Sequence, residues 1–483
     1  MVVLVVALQL ILCIIARALL RRNTIAPSLS VCLTFYVALW YVIPTLIGVF
    51  MWDTLSSSLH LPGWEEFAAL ACMESSILIV TLLCLFIRTP FFSALTNGPV
   101  AAIQISYKSA VLIAAAGCLT FVLCNLSALA GNTYDERNQY NVMSAGTELY
   151  NSLGPLSVAI ALLTAFSLAC LLAPWPGKKH PYAIMAVGWL LIAFVTGRNV
   201  ADGVGIFALL PIVMLCLTAR AKHWPRSRVV IVGGTIGLLT ATVGETAIEV
   251  VRQQRFNPNF GGDVVLQGSL DYFQAQRADK SMVEDLIERT TMSLFMKFDT
   301  FAGGVVLLRG SGVGVGGMNP FVGSALGIVP RVILPNKPVP GSVDGTYLGI
   351  PGRIAAHLQG MGLYNSMIPV SSGAITIWQL GYYGLPVLIV ANAVLLAFLN
   401  SLLLSKSVWL HAVALFVIGL PAMVNIFSSA DVVLMSIERA LVVYALIALF
   451  SSRLRRRNSC LDRSEAGPKR PATQLCSDVH HRG

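Results

Sequence analysis

Charge is scarce in this chain: Asp, Glu, Lys and Arg together make up 12% of its 483 residues, against 56% apolar residues. A soluble domain needs far more polar surface than that. The composition therefore excludes a soluble globular fold and indicates a polytopic membrane protein, in line with a mean hydropathy of +0.75. Cysteine is missing where a secreted domain would need it. None of the ten cysteines falls in the long polar stretch 251–375, so no disulfide framework or cysteine metal site holds that stretch. No His, Asp and Glu spacing resembles a metal site, and no metal or other cofactor is expected. No Ser-His-Asp order stands out as a nucleophilic triad. No internal repeat is visible, which counts against the inverted-repeat transporter plan. The net charge of +10 follows the ends of apolar runs, so it reflects topology and contact with lipid headgroups, with no nucleic acid as partner.

What the chain does have is apolar runs of spanning length. A hydrocarbon core of roughly 30 Å needs about 20 apolar residues per helix. Windows of that kind give eleven candidate spans, near 2–20, 29–50, 66–87, 109–130, 155–173, 181–196, 203–218, 228–249, 376–399, 409–428 and 433–450. The expected fold class is an all-α polytopic membrane protein of about eleven transmembrane helices with one long extracytoplasmic loop carrying short helices. Spans one to eight would occupy residues 1–250, the loop 251–375, and spans nine to eleven 376–450, with a basic, disordered cytoplasmic tail at 451–483.

Lys and Arg near span ends stay in the cytoplasm. Arg21 and Arg22, Arg88 and Lys108, Lys178 and Lys179, the group Arg220, Lys222, Arg226 and Arg228, then Lys406, and finally Arg453 to Arg457 all fall on one side of such a bundle. Asp135, Glu136, Glu148 and the long loop fall on the other. The N-terminus is expected outside. The first span has no charged leader region and no small-residue cleavage site, so it reads as retained.

Within the loop, Met282, Val283, Leu286, Ile287, Leu294 and Phe298 recur at helical spacing, with Glu284, Asp285, Glu288 and Arg289 between them. This predicts an amphipathic helix on the membrane face. The run Gly310-Ser311-Gly312-Val313-Gly314-Val315-Gly316-Gly317 lacks the Gly-Lys-Ser/Thr ending and following helix of a phosphate loop, and reads as a hinge or lid. Arg331 and Lys337 then stand among prolines that fix the backbone. They are either a shaped anion site or solvated charges on a rigid loop. A further short helix holds Arg353 and His357, the latter a general base or an incidental loop histidine.

Thr196-Gly197-Arg198-Asn199 forms a short outer turn between the sixth and seventh spans. An arginine there is either a snorkelling anchor or the partner of an anion, and its planar fork suits a phosphate or diphosphate. In the last span, Arg439 and Glu438 are neighbours that cannot face each other on one helix. Arg439 is therefore expected to pair with Asp431 or Glu245, as a structural ion pair or as part of a catalytic cluster.

At these positions the chain resembles the Wzy-type polymerases of O-antigen and exopolysaccharide repeat units. The resemblance rests on Gly197-Arg198, on Arg289 followed by Asp299, on the segment Val329 to Pro338 with Leu334 where the family has Trp, and on Leu380-Gly381-Tyr382-Tyr383-Gly384. It implies a helical bundle with an outward-facing cleft in the bacterial cytoplasmic (inner) membrane. It also implies a metal-independent glycosyltransferase acting on undecaprenyl-diphosphate-linked oligosaccharide, with a chain-length regulator as a further partner. Arg198, Arg331 and Lys337 would stabilise the leaving diphosphate. Arg289, Arg353 and His357 would bind substrate, and Glu245, Asp344 and His357 are the candidates for the base. Two alternatives remain: an O-antigen ligase, whose usual histidine before the next span is replaced here by Ser371-Ser372-Gly373, and a lipid-oligosaccharide flippase or other transporter.

Overall fold

The computed structural model describes residues 1–59, 61–87, 106–113, 225–235, 299–314, 370–405 and 407–418, with isolated positions in 115–170, 291–295 and 437–449, and most of these described residues are helical. No strand occurs among the described residues. Four helical stretches are long and apolar enough to cross a membrane: Val2–Arg21, Pro27–Ser56, Trp64–Cys84 and Ser372–Leu404. The described part is that of a helical membrane protein.

Helix α1 (Val2–Arg21) buries Val5, Gln9, Leu12, Ile15, Ala16 and Leu19, a stripe at helical spacing. Leu4, Leu10, Ile11 and Ile14 on its other side are exposed, as expected of a surface solvated by lipid rather than water. Pro27 opens α2 (Pro27–Val37) at a position where a missing N–H costs nothing. The chain continues through a π-helical turn (Ala38–Val42) into α3 (Ile43–Leu59). That wide turn ends just ahead of Pro44, which cannot donate to the preceding turn, so the helix loosens there rather than breaking. α4 (Trp64–Cys84) carries Glu65 and Glu66 in its first turn, where acids complement the helix dipole.

α1 and α4 run parallel. Val5 packs with Ala68 and Cys72 near one end, the Gln9 amide donates to Ser75 Oγ at 2.9 Å midway, and the Arg22 guanidinium reaches the Phe86 carbonyl at 3.3 Å at the other. Arg226 donates to the Arg22 carbonyl at 3.0 Å, and Asn400 Nδ2 to the Thr24 carbonyl at 3.1 Å. Thus one face of the bundle gathers Arg22, Phe86, Arg226 and Asn400.

The remaining elements are short or folded back. α5 (Phe301–Ser311), α6 (Ser372–Leu380) and α7 (Gly384–Leu404) surround α4, and α8 (Val408–Ile418) follows. Gly381, at φ 67°, ends α6 in a backbone region that favours glycine. A 3₁₀ turn (Gly381–Tyr383) then reverses the chain, so that Gly384 lies against Thr376 and α6 and α7 form a hairpin. α5, which falls within the stretch expected to lie outside the bundle, packs inside it. Its eleven residues, ten of them apolar or small, are too few to register as a span.

Candidate functional site

The interior of an apolar bundle is where a charged side chain is least expected and most informative. Glu74 lies there, ten residues into α4 and fully buried. Its Oε1 accepts the Ala374 N–H at 3.1 Å, in the first turn of α6. The Ser371 hydroxyl and the Gly373 N–H also face the carboxylate. Oε2 has no hydrogen-bond partner among the described residues.

Gly373 makes this approach feasible, because a Cβ there would collide with Glu74 Oε1. Ser371 is the N-cap of α6, its hydroxyl 3.4 Å from the Ala374 N–H. A side-chain acceptor and a carboxylate thus share one helix N-terminus, where the dipole favours negative charge.

A second helix begins beside it. The Ser371 N–H donates to the Thr300 carbonyl at 3.0 Å, and Thr300 opens α5. Asp299, 6% exposed, accepts the Phe301 N–H at 3.0 Å through Oδ1 and the Ala302 N–H at 3.1 Å through Oδ2. α5 and α6 then run side by side: Gly304 fits between Leu70, Ala374 and Ser371, and at the far end the Gly314 N–H donates to the Ile377 carbonyl at 3.0 Å. Arg309, near the end of α5, lies 3.6 Å from Glu66. Both half-helices therefore start at the level of Glu74 and end on the face opposite Arg22 and Arg226.

Aromatic rings line the outer half of this junction. Tyr41 meets Phe301 edge-on at 5.6 Å, and Phe67 lies 5.8 Å from Phe301 and 6.2 Å from Phe295. Trp52 lies tilted against Phe67, with ring centroids 4.6 Å apart. Tyr36 and Tyr41 hydrogen-bond each other near Glu74.

Of the residues singled out from the sequence, Arg198, Arg289, Arg331, Lys337, Arg353 and His357 lie outside the described residues, as do Glu245, Asp344, Asp431 and Arg439. Asp299 and Leu380 to Gly384 are described, and they cap α5 and turn α6 into α7. Glu74 is not among the residues that motif and spacing single out, and its one signal in the sequence is a lone acid inside the apolar window 66–87. Ser371 and Gly373 stand out in the sequence only for the histidine they replace. The glycine run splits in two: Gly310 and Ser311 complete α5, and Gly312, at φ 90°, ends it.

No protein-family model matches the chain, and neither does a curated protein or a solved structure. The fold and the junction define a multi-spanning helical membrane protein with a buried polar centre.

Proposed function

We propose that the chain is an eleven-span glycosyltransferase of the bacterial cytoplasmic membrane that polymerises undecaprenyl-diphosphate-linked oligosaccharide units at the outer face. The acceptor hydroxyl attacks the anomeric carbon of the donor chain, the bond to the diphosphate breaks, and the diphosphate leaves on its polyprenyl carrier. The hydroxyl proton passes to a base, for which Glu245, Asp344 and His357 are candidates. Arg198, Arg331 and Lys337 take up the charge that develops on the leaving oxygen, with Arg289, Arg353 and His357 contacting substrate. The observation that carries this reading is the segment Pro330-Arg331 to Asn336-Lys337-Pro338. It follows a half-helix whose end at Gly314 lies opposite the Arg22 and Arg226 face, the side on which a finished lipid-linked unit is presented.

Replacing Arg198 with Ala tests it. Charge-assisted contacts contribute about 1.5–3 kcal/mol, and losing that much transition-state stabilisation slows turnover roughly ten- to hundredfold. Cells carrying the variant should accumulate glycolipid with a single repeat unit at normal protein level. Wild-type polymer length and amount would make Arg198 a mere interface anchor.

One observation favours a second reading, transport of the lipid-linked unit. Two half-helices that start beside a buried carboxylate resemble the broken helices around which transporters build their sites. In a deletion strain, loss of a transporter strands lipid-linked units on the inner leaflet, shielded from an impermeant glycosidase, whereas loss of a polymerase leaves single units on the outer side.

A further inference from the structure

We propose that Glu74 is the seat of an exchangeable monovalent cation, a proton or a sodium ion, held where α5 and α6 begin. The inference starts from charge balance and does not depend on the polymerase reading. A buried carboxylate needs a compensating charge or a full set of hydrogen bonds. Glu74 Oε1 accepts the Ala374 N–H, the Ser371 hydroxyl and Gly373 N–H also act on the carboxylate, and yet Oε2 is buried without a hydrogen-bond partner among the described residues.

Among the described residues, none of the helices packed around it brings a cation to its level; the N-terminal ammonium of α1, whose field reaches Cys72, stands eight residues before Gln9. α2, α3, α4, α6 and α7 contain no Lys, Arg or His. Arg309 of α5 sits at the outer end with Glu66. Arg17 and Arg21 of α1 lie eight residues or more beyond Gln9, whose neighbour Ser75 marks the level of Glu74, hence about 12 Å away along the helix. The titratable groups that do face the carboxylate are Tyr36 and Tyr41, which add no positive charge. Asp299 adds a second acid, already engaged at the start of α5. A helix N-terminus supplies only roughly half a positive charge. The unpartnered Oε2 is where a small cation completes the balance.

The test uses the purified full-length protein in detergent. Its thermal unfolding is followed by tryptophan fluorescence from pH 5 to 9, in sodium chloride and in choline chloride of equal strength. The wild-type midpoint should move by about 5 °C with pH or with sodium, the size expected when a site goes from empty to well filled. Glu74→Gln keeps an acceptor for Ala374 and cannot exchange a cation, so the part of that shift due to Glu74 disappears. Equal pH and sodium responses in the two proteins overturn the proposal. If Glu74→Gln fails to fold, wild-type protein treated with dicyclohexylcarbodiimide decides, since the reagent adds a protonated carboxyl across its N=C=N bond. Mass-spectrometric labelling of Glu74 that falls at least about tenfold as pH rises identifies a proton, and protection by sodium at fixed pH identifies sodium. No labelling, or labelling indifferent to both, overturns the assignment.

Discussion

Single side chains decide how the two half-helices seat. A Cβ at Gly373 would enter the space of Glu74 Oε1, and the carboxylate cannot withdraw without giving up Ala374. Gly373→Ala should therefore cost about 1–3 kcal/mol, the usual penalty of overpacking, read as a lower unfolding midpoint. The penalty should shrink when Glu74 is itself truncated to Ala, since contacting residues couple. An equal loss in both backgrounds would mean that the two residues do not touch. Asp299 caps α5 by accepting the Phe301 and Ala302 N–H groups. Asp299→Ala should therefore lower the unfolding midpoint by the equivalent of about 0.5–2 kcal/mol, the usual cost of a lost cap, and an unchanged midpoint would show that the cap contributes nothing.

At the scale of elements, α5 and α6 are parallel half-helices wedged between α4 and α7, held by small residues. Gly304 lets α5 close on Leu70, Ala374 and Ser371. A cysteine pair at Gly304 and Ala374 should thus form a disulfide on mild oxidation after a small shift, because the two Cβ positions fall even closer than a bridge requires. Absence of the cross-link in folded protein would separate the two helices. This is also the scale at which sequence and structure part. The helices α1, α4 and α7 are legible because each is an unbroken run of 20 or 21 mostly apolar residues. α5, with 11 residues, falls below any spanning window and dissolves into the polar stretch around it, while most of α6, with 9, merges with α7 in the span expected at 376–399, which the turn at Gly381 to Tyr383 breaks in two. Glu74 vanishes for the opposite reason, since averaging over a span hides one acid. The loop helix expected on the membrane face is described only at 291–295, and there Phe295 is buried against Phe67 while Leu294 is half-buried. Aromatic packing sets that register, which apolar spacing alone cannot distinguish from its neighbour.

At the scale of the whole molecule, sidedness follows from which ends meet. Phe86 and Arg226 both contact Arg22, so these three residues share one face, and Gly314, at the far end of α5, lies on the opposite one. The spans expected between them fall outside the described residues. Asn400 returns to the arginine face through α7, and two further spans would bring the tail back to it. Arginines that share a face are retained in the cytoplasm by the membrane potential and anionic lipid. The loop should then be outside and the tail inside. In a cysteine-free background, a cysteine at Ser342 should react with an impermeant thiol reagent in intact cells, while one at Ser464 should react only after the membrane is opened. Labelling of Ser464→Cys in intact cells would invert the molecule. The segment from Arg331 to Lys337 would then face the cytoplasm, where no finished lipid-linked chain awaits extension, and the polymerase reading would fall with the topology.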